Sequence, residues 1–162
     1  MGSHRLPDLR VAIDAFRRIV QALRTSNRDA EHRVGLSAAQ LFALQQLEAH
    51  PGSSINELAA HTFTHQSSVS VVVRRLVQRR LVAKMTARED RRRVRLVVTD
   101  GGRQVLRRSP GAIQDRLIAG IAALPTDQRQ MLADALSAIA RRVSTKDGHP
   151  SMFFEERRKR RR

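Results

Sequence analysis

A chain of 162 residues, 41% of them hydrophobic, suits one domain, or one domain with an accessory dimerisation element; with 3% aromatics and no Trp or Tyr, its core must be aliphatic. The absence of Cys excludes a disulfide framework, a thiolate zinc site and a thiol redox switch. Lys and Arg number 31 against 15 Asp and Glu, a net charge of +16, and the excess is concentrated: residues 65–108 hold 13 basic and 3 acidic side chains, and residues 151–162 hold 6 and 2. Such clustering is what a polyanion-binding surface requires, the alternative being a solvated basic face that binds nothing specific. No run of about 18 apolar residues offers a membrane span, and the chain opens without the apolar region of a signal peptide, so the expected compartment is the cytoplasm.

The first element is a helix. Leu6, Leu9, Ile13, Phe16, Val20 and Leu23 recur in steps of three and four, a stripe that must meet later helices or a second subunit. Residues 24–35 are polar and end in Gly35, so the helix is expected to stop within them. Ser37 with Gln40, and Ser54 with Glu57, each make the capping-box spacing that opens a helix. Leu41, Leu44 and Leu47 form the inner face of the first of these, which Pro51-Gly52 ends; Ile55, Leu58 and Ala59 form that of the second. Thr62 to Thr64 then connects to a helix from about His65 to Arg80, the spacing of a helix-turn-helix, although the usual turn Gly is missing.

In this second helix Val69, Val72, Val73 and Leu76 face the core, and Ser67, Ser70, Val71, Arg74 and Gln78 lie opposite. Short polar side chains let a helix sit deep in a major groove, Arg reads guanine in bidentate fashion, and an outer Val suits a thymine methyl. Residues 81–86 and 94–98 read as strands around the charged turn Arg88-Glu89-Asp90-Arg91-Arg92-Arg93. Folding does not need four guanidinium groups at a hairpin tip, whereas phosphates or a narrow minor groove would attract them.

The run Asp90-Arg91-Arg92-Arg93-Val94-Arg95-Leu96-Val97-Val98-Thr99, with Gly102 beyond, resembles the wing signature of the MarR family, the multiple antibiotic resistance regulators. Residues 55–82 are similar to that family's helix-turn-helix, with Glu57-Leu58-Ala59, Ser67-Ser68-Val69-Ser70, Arg75-Leu76 and Leu81-Val82 in register. Arg80 stands where the family usually has Gly, and Phe63 is large for the turn, as though it plugged the core. The resemblance implies a mainly α fold with a small β-hairpin wing. Residues 36–99 would form the winged helix-turn-helix, and 5–30 with 100–145 the helical dimerisation region. The implied DNA-contacting set is His65, Gln66, Ser67, Ser68, Ser70, Val71, Arg74 and Arg75 on the helix, and Arg88, Asp90, Arg91, Arg92 and Arg93 on the wing. Within that set Asp90 would hold Arg92 in place.

Beyond the wing, Thr99 or Asp100 is expected to cap a helix carrying Leu106, Ile113, Leu117, Ile121 and Leu124. Pro110 should kink that helix or restart it from Ser109. Leu132, Leu136, Ile139 and Val143 then mark a final amphipathic helix. A small winged-helix core cannot bury three extra apolar faces, and the resemblance implies that they interlock in a homodimer on a pseudo-palindromic operator, with half-sites roughly 10 base pairs apart. Residues 146–162 form a basic tail with Met152-Phe153-Phe154 as a short apolar anchor ahead of Arg157-Arg158-Lys159-Arg160-Arg161-Arg162; it could add phosphate contacts, bind a partner or remain disordered.

No phosphate-binding Gly loop, nucleophile elbow or zinc-binding His pair is present, so no catalytic role, metal or cofactor is expected. The resemblance implies a transcriptional repressor released by a small aromatic or phenolic effector, with Phe16, Phe42, His32 and Arg33 as candidate lining, though Phe16 reads more simply as core. An architectural DNA-coating protein without an effector is the open alternative. The two differ in how far one site is preferred over random DNA.

Overall fold

The computed structural model describes residues 5–86, 94–144 and 150–155. It is a mainly helical winged fold: helix α1 (Arg5–Val34), α2 (Ala38–Ala49), α3 (Ile55–His61), α4 (Gln66–Gln78), strands β1 (Val82–Thr86) and β2 (Val94–Val98), then α5 (Asp100–Arg108), α6 (Ile113–Ala122) and α7 (Thr126–Val143).

Both expected capping boxes form. The Ser37 hydroxyl accepts the Gln40 N–H and the Gln40 side chain accepts the Ser37 N–H; Ser54 and Glu57 repeat the exchange. Each satisfies two helix-end donors, worth about 1 kcal/mol per cap. Three helices meet in an aliphatic core in which Leu41, Leu44, Leu47, Leu58, Val69, Val72, Val73 and Leu76 are buried, and Val82, Leu96 and Val98 add the inner face of the hairpin. Phe42 lies in this core rather than in any cleft.

The hairpin is antiparallel, with Val82 opposite Val98 and Thr86 opposite Val94. The loop after α2 extends the ladder: the Gly52 N–H donates to the Leu96 carbonyl and the Leu96 N–H to the Ser53 carbonyl. Gly52 permits this with φ +78°.

Two sequence expectations are corrected here, and a third is met at the far edge of its range. The polar stretch after Leu23 stays helical to Val34, where Gly35 turns the chain with φ +66°. Leu23 and Ala30 are buried on one side of that stretch, and Asn27 caps the next helix by accepting the Ala38 N–H at 2.8 Å, so tertiary contacts hold it. Pro110 does divide two helices, but Ser109 closes α5, its hydroxyl donating to the Leu106 carbonyl, and Ala112 is the residue before α6. Phe63 does not plug the core: it is 77% exposed, and it occupies the left-handed turn position with φ +51° that a Gly would otherwise take.

Away from the head, most of the large apolar residues on the terminal helices are exposed. On α1 Leu9, Val11, Ile13, Phe16 and Ile19 are exposed, so Phe16 is not core. On α7 Met131, Leu136, Ile139 and Val143 are exposed, and no residue of that helix is buried. The chain nevertheless returns to the head: Met152 is buried in the main core, and the Ser68 hydroxyl donates to the Pro150 carbonyl at 3.1 Å. Burying a Met side chain contributes about 1.5–3 kcal/mol, enough to hold a short segment in place.

Candidate nucleic-acid interface

Helix α4 projects because the turn before it is tightly closed. The buried Thr62 hydroxyl donates to the Leu58 carbonyl at 2.8 Å, the Phe63 N–H to Ala60, and the Thr64 N–H to Ala59. His65 is the N-cap residue, its carbonyl accepting from the Ser68 and Val69 N–H groups. One flank of α4 delivers Val69, Val72, Val73 and Leu76 to the core.

The opposite flank is open. His65, Gln66, Ser67, Arg74 and Gln78 are exposed, and Ser70 and Val71 are half-buried. Ser70 donates its hydroxyl to the Gln66 carbonyl at 2.8 Å, which leaves its oxygen free to accept from a base edge. Helix α4 contains no acidic residue, and the exposed Arg79, Arg80 and Lys84 continue the positive surface toward the wing. A surface of short polar groups edged by cations is suited to a polyanion with readable edges.

Two expected residues do not belong to it. Ser68 is buried against Pro150. Arg75 is half-buried, and its charge acts on Glu155, whose carboxyl burial raises above the usual range while Arg75 pulls it back down. Ser68 and Arg75 are seven apart, within about 20° of each other on a 3.6-residue wheel, and about 100° from the open face. The motif register that singled them out could not distinguish this flank from that face.

The wing residues Arg88, Asp90, Arg91, Arg92 and Arg93 lie outside the described residues. Arg95 Nη1 donates to the Gly52 carbonyl at 2.9 Å, tying β2 to the α2–α3 loop. The Ser54 hydrogen bonds, with lesser help from Arg95 and His61, hold the Glu57 carboxyl below the usual range. The sequence signature includes Arg95 without giving it a role; its alternation with Leu96 on the strand is the signal that it points away from the core. His61 stacks on His50, with ring centroids 3.8 Å apart, a pairing that no spacing rule across the α2–α3 loop would anticipate.

At the far end of the hairpin Arg80 is left-handed, φ +58°, at the position where Gly was missed. Thr99 closes this corner. Its hydroxyl donates to the Arg80 carbonyl and accepts the Gly102 N–H, and its own N–H donates to Leu81. A Cβ on Gly102 would stand 2.3 Å from the Leu81 carbonyl oxygen, so the Thr and Gly of the signature are there for backbone approach, not for contact with a partner.

Among the described residues no group of three His, Asp or Glu side chains is placed to hold a metal ion, and no helix is long and apolar enough to cross a membrane.

A model of the MarR family matches residues 34–93. The HTH-type transcriptional repressor MdtR of Bacillus subtilis is 28% identical over 97 residues, which is 60% of this chain and 61% of that repressor, under two-thirds of its length. The fold is similar to that of a crystal structure of an S. aureus MepR–DNA complex, with a TM-score of 0.56 and 18% identity over 80% of this chain and 96% of that one. It is also similar to the transcriptional regulator BldR from Sulfolobus solfataricus, with a TM-score of 0.55 and 21% identity over 85% and 96% of the two chains.

Proposed function

We propose that this chain, which carries the MarR-family winged reading head at residues 34–93, is a transcriptional repressor that reads duplex DNA with helix α4. The observation that carries the reading is the open, acid-free face of His65, Gln66, Ser67, Ser70, Val71 and Arg74, beside a hairpin that leads to the Arg88–Arg93 tip. Short side chains near the start of α4 admit the helix into the major groove, and Arg74 reaches a base edge. The tip arginines take the adjoining minor groove or phosphates, with Asp90 orienting Arg92.

The reading includes a homodimer. The exposed apolar residues of α1 and α7 have no cover among the described residues, and a second copy buries them by symmetry. Two α4 helices related by a two-fold axis then need a pseudo-palindromic site.

Release by a small aromatic or phenolic effector completes the proposal, and one observation supports a place for it. Gln114, at the start of α6, is 5% exposed, and neither amide atom has a hydrogen-bond partner among the described residues. A buried unmatched amide is costly, and a polar ligand group or a water would relieve it. The net charge of +16 favours a second reading, an architectural protein without an effector. Selection of bound duplexes from a random pool separates the two: a repressor enriches one palindrome, an architectural protein enriches none.

A further inference from the structure

The segment Pro150–Glu155 takes up one flank of the recognition helix. The Ser68 hydroxyl donates to the Pro150 carbonyl at 3.1 Å, Met152 is buried in the core of the head, and Glu155 lies within electrostatic reach of Arg75. A tight turn makes the last of these contacts. The Glu155 N–H donates to the Met152 carbonyl at 3.1 Å, with Phe154 left-handed at φ +58°. A non-glycine residue keeps such a conformation only where its surroundings impose it, so the segment is seated on the head in one arrangement.

The flank it occupies is one that a bound duplex would also claim. Ser68 and Arg75 lie two helical turns apart on a line about 100° round α4 from the open face. A helix with its side chains is about 10–12 Å across, and the major groove is about 12 Å wide. When the open face is turned toward the base edges, a line a quarter turn away meets the phosphates of the groove wall. Ser68 is a hydroxyl donor and Arg75 a guanidinium, the groups that phosphates take. In this structure Ser68 is buried and Arg75 half-buried, both on the side of Pro150–Glu155.

We propose that Pro150–Glu155 is an autoinhibitory strap: docked, it withholds Ser68 and Arg75 from DNA, and a bound duplex displaces it so that both residues take phosphates of the groove wall. This rests on the DNA-binding reading above. A chain whose binding-competent state is only partly populated binds more weakly by that fraction, so the docked strap lowers affinity. Base preference belongs to the open face, which the strap leaves exposed at Ser67, Arg74 and Gln78.

The first test observes the strap in the unaltered chain. The sequence holds four methionines, so methyl NMR resolves Met152 once Met152→Leu assigns its signal. In the free chain its buried methyl should resonate away from the position of a solvated methionine. Saturation with an enriched duplex should move it to that position. A Met152 methyl that keeps its buried shift at saturation overturns the inference, because strap and duplex then coexist.

The second test measures affinity against salt on enriched and random-sequence duplexes. Met152→Ala weakens the anchor without changing charge, and should tighten binding to both duplexes by several-fold while their ratio stays within about twofold. Loosening of the head would weaken binding instead, so the sign separates release from damage. Glu155→Gln leaves the core untouched and should tighten binding in the same direction. Arg75→Gln should make the log–log slope shallower by about one unit per head, although Arg75 is turned away from the open face in the free chain. An unchanged slope for Arg75→Gln, or folded Met152→Ala and Glu155→Gln variants that bind no tighter than the original, would make the segment a permanent brace and overturn its role as a competitor. If the full chain binds neither duplex at low salt, the DNA-binding reading fails and the strap's role with it, an outcome distinct from a bound duplex beside an unmoved Met152.

Discussion

The Thr99 hydroxyl donates a 2.7 Å hydrogen bond to the carbonyl of Arg80, nineteen residues earlier. It ties the end of β2 to the left-handed turn between α4 and β1, and through its bond from Gly102 it also caps α5. The angle between α4 and the hairpin is set at this corner.

Gly102→Ala should therefore be among the most damaging small substitutions in the head. Its methyl would meet the Leu81 carbonyl oxygen and Val98 Cγ1 at 2.3 and 2.7 Å, and neither backbone nor packed core can yield cheaply. A loss of about 2 kcal/mol or more is expected, at the upper range for overpacking, against about 1 kcal/mol for Thr99→Val, which removes the cap. Urea midpoints at constant m-value measure both, and a neutral Gly102→Ala would contradict the close approach.

Arg80→Gly should act the other way. A non-glycine residue at φ +58° is strained by about 1–2 kcal/mol, and the added freedom of Gly in the unfolded chain returns part of that. The expected net effect is a stabilisation of about 0.5 kcal/mol, read as a rise in the urea midpoint. Clear destabilisation would mean that the Arg80 side chain contributes more to the head than its exposure suggests.

The Ser54–Glu57 capping box gives stability a pH dependence with a definite sign. The folded pKa of Glu57 is depressed, first by its hydrogen bonds to Ser54. Its contribution is therefore present above the ordinary Glu range and lost as pH falls through the folded value. Glu57→Gln keeps a side-chain acceptor for the Ser54 N–H but cannot titrate, so the variant should lose less stability than the original chain on acidification. Parallel losses in thermal melts on either side of the carboxylate range would show that the bond contributes nothing in its ionised form.

Much of this molecule was legible because its local signals agree with its tertiary ones. The capping boxes at Ser37 and Ser54, the alternation of Leu96 and Val98, and the core flank of α4 each combine a period with a stop signal. The signals that failed depend on partners distant in sequence. Nothing near Ser68 indicates that Pro150 will take its hydroxyl, so a serine in the recognition segment read as a contact. The stretch after Leu23 stays helical to Val34 because Leu23, Ala30 and Asn27 meet α2 and its entry, while its polar composition indicates only that the helix ends somewhere within it. Phe63 and Arg80 occupy left-handed positions that glycine normally advertises. Gly102 was visible as a motif letter, but its reason, the Leu81 carbonyl, lies across the sheet corner.

The assembly prediction concerns α7, none of whose residues is buried within one chain. Leu136→Asp together with Ile139→Asp should convert a dimer into monomer or aggregate and abolish binding to a palindromic duplex while leaving half-site contacts weak. Sedimentation at micromolar concentration reads this directly. An original chain that sediments as a stable soluble monomer would remove the reason for expecting a palindrome.

The central claim is that the open face of α4 reads sequence. Its most direct test titrates the full chain and Arg74→Ala against the enriched duplex and against random DNA at physiological salt. The account predicts that the full chain prefers its site by about a thousandfold or more, and that Arg74→Ala costs about 1–3 kcal/mol there while relaxing preference at one base position per half-site. Equal affinity for every duplex, or an Arg74→Ala variant with unchanged affinity and unchanged base preference, would contradict it.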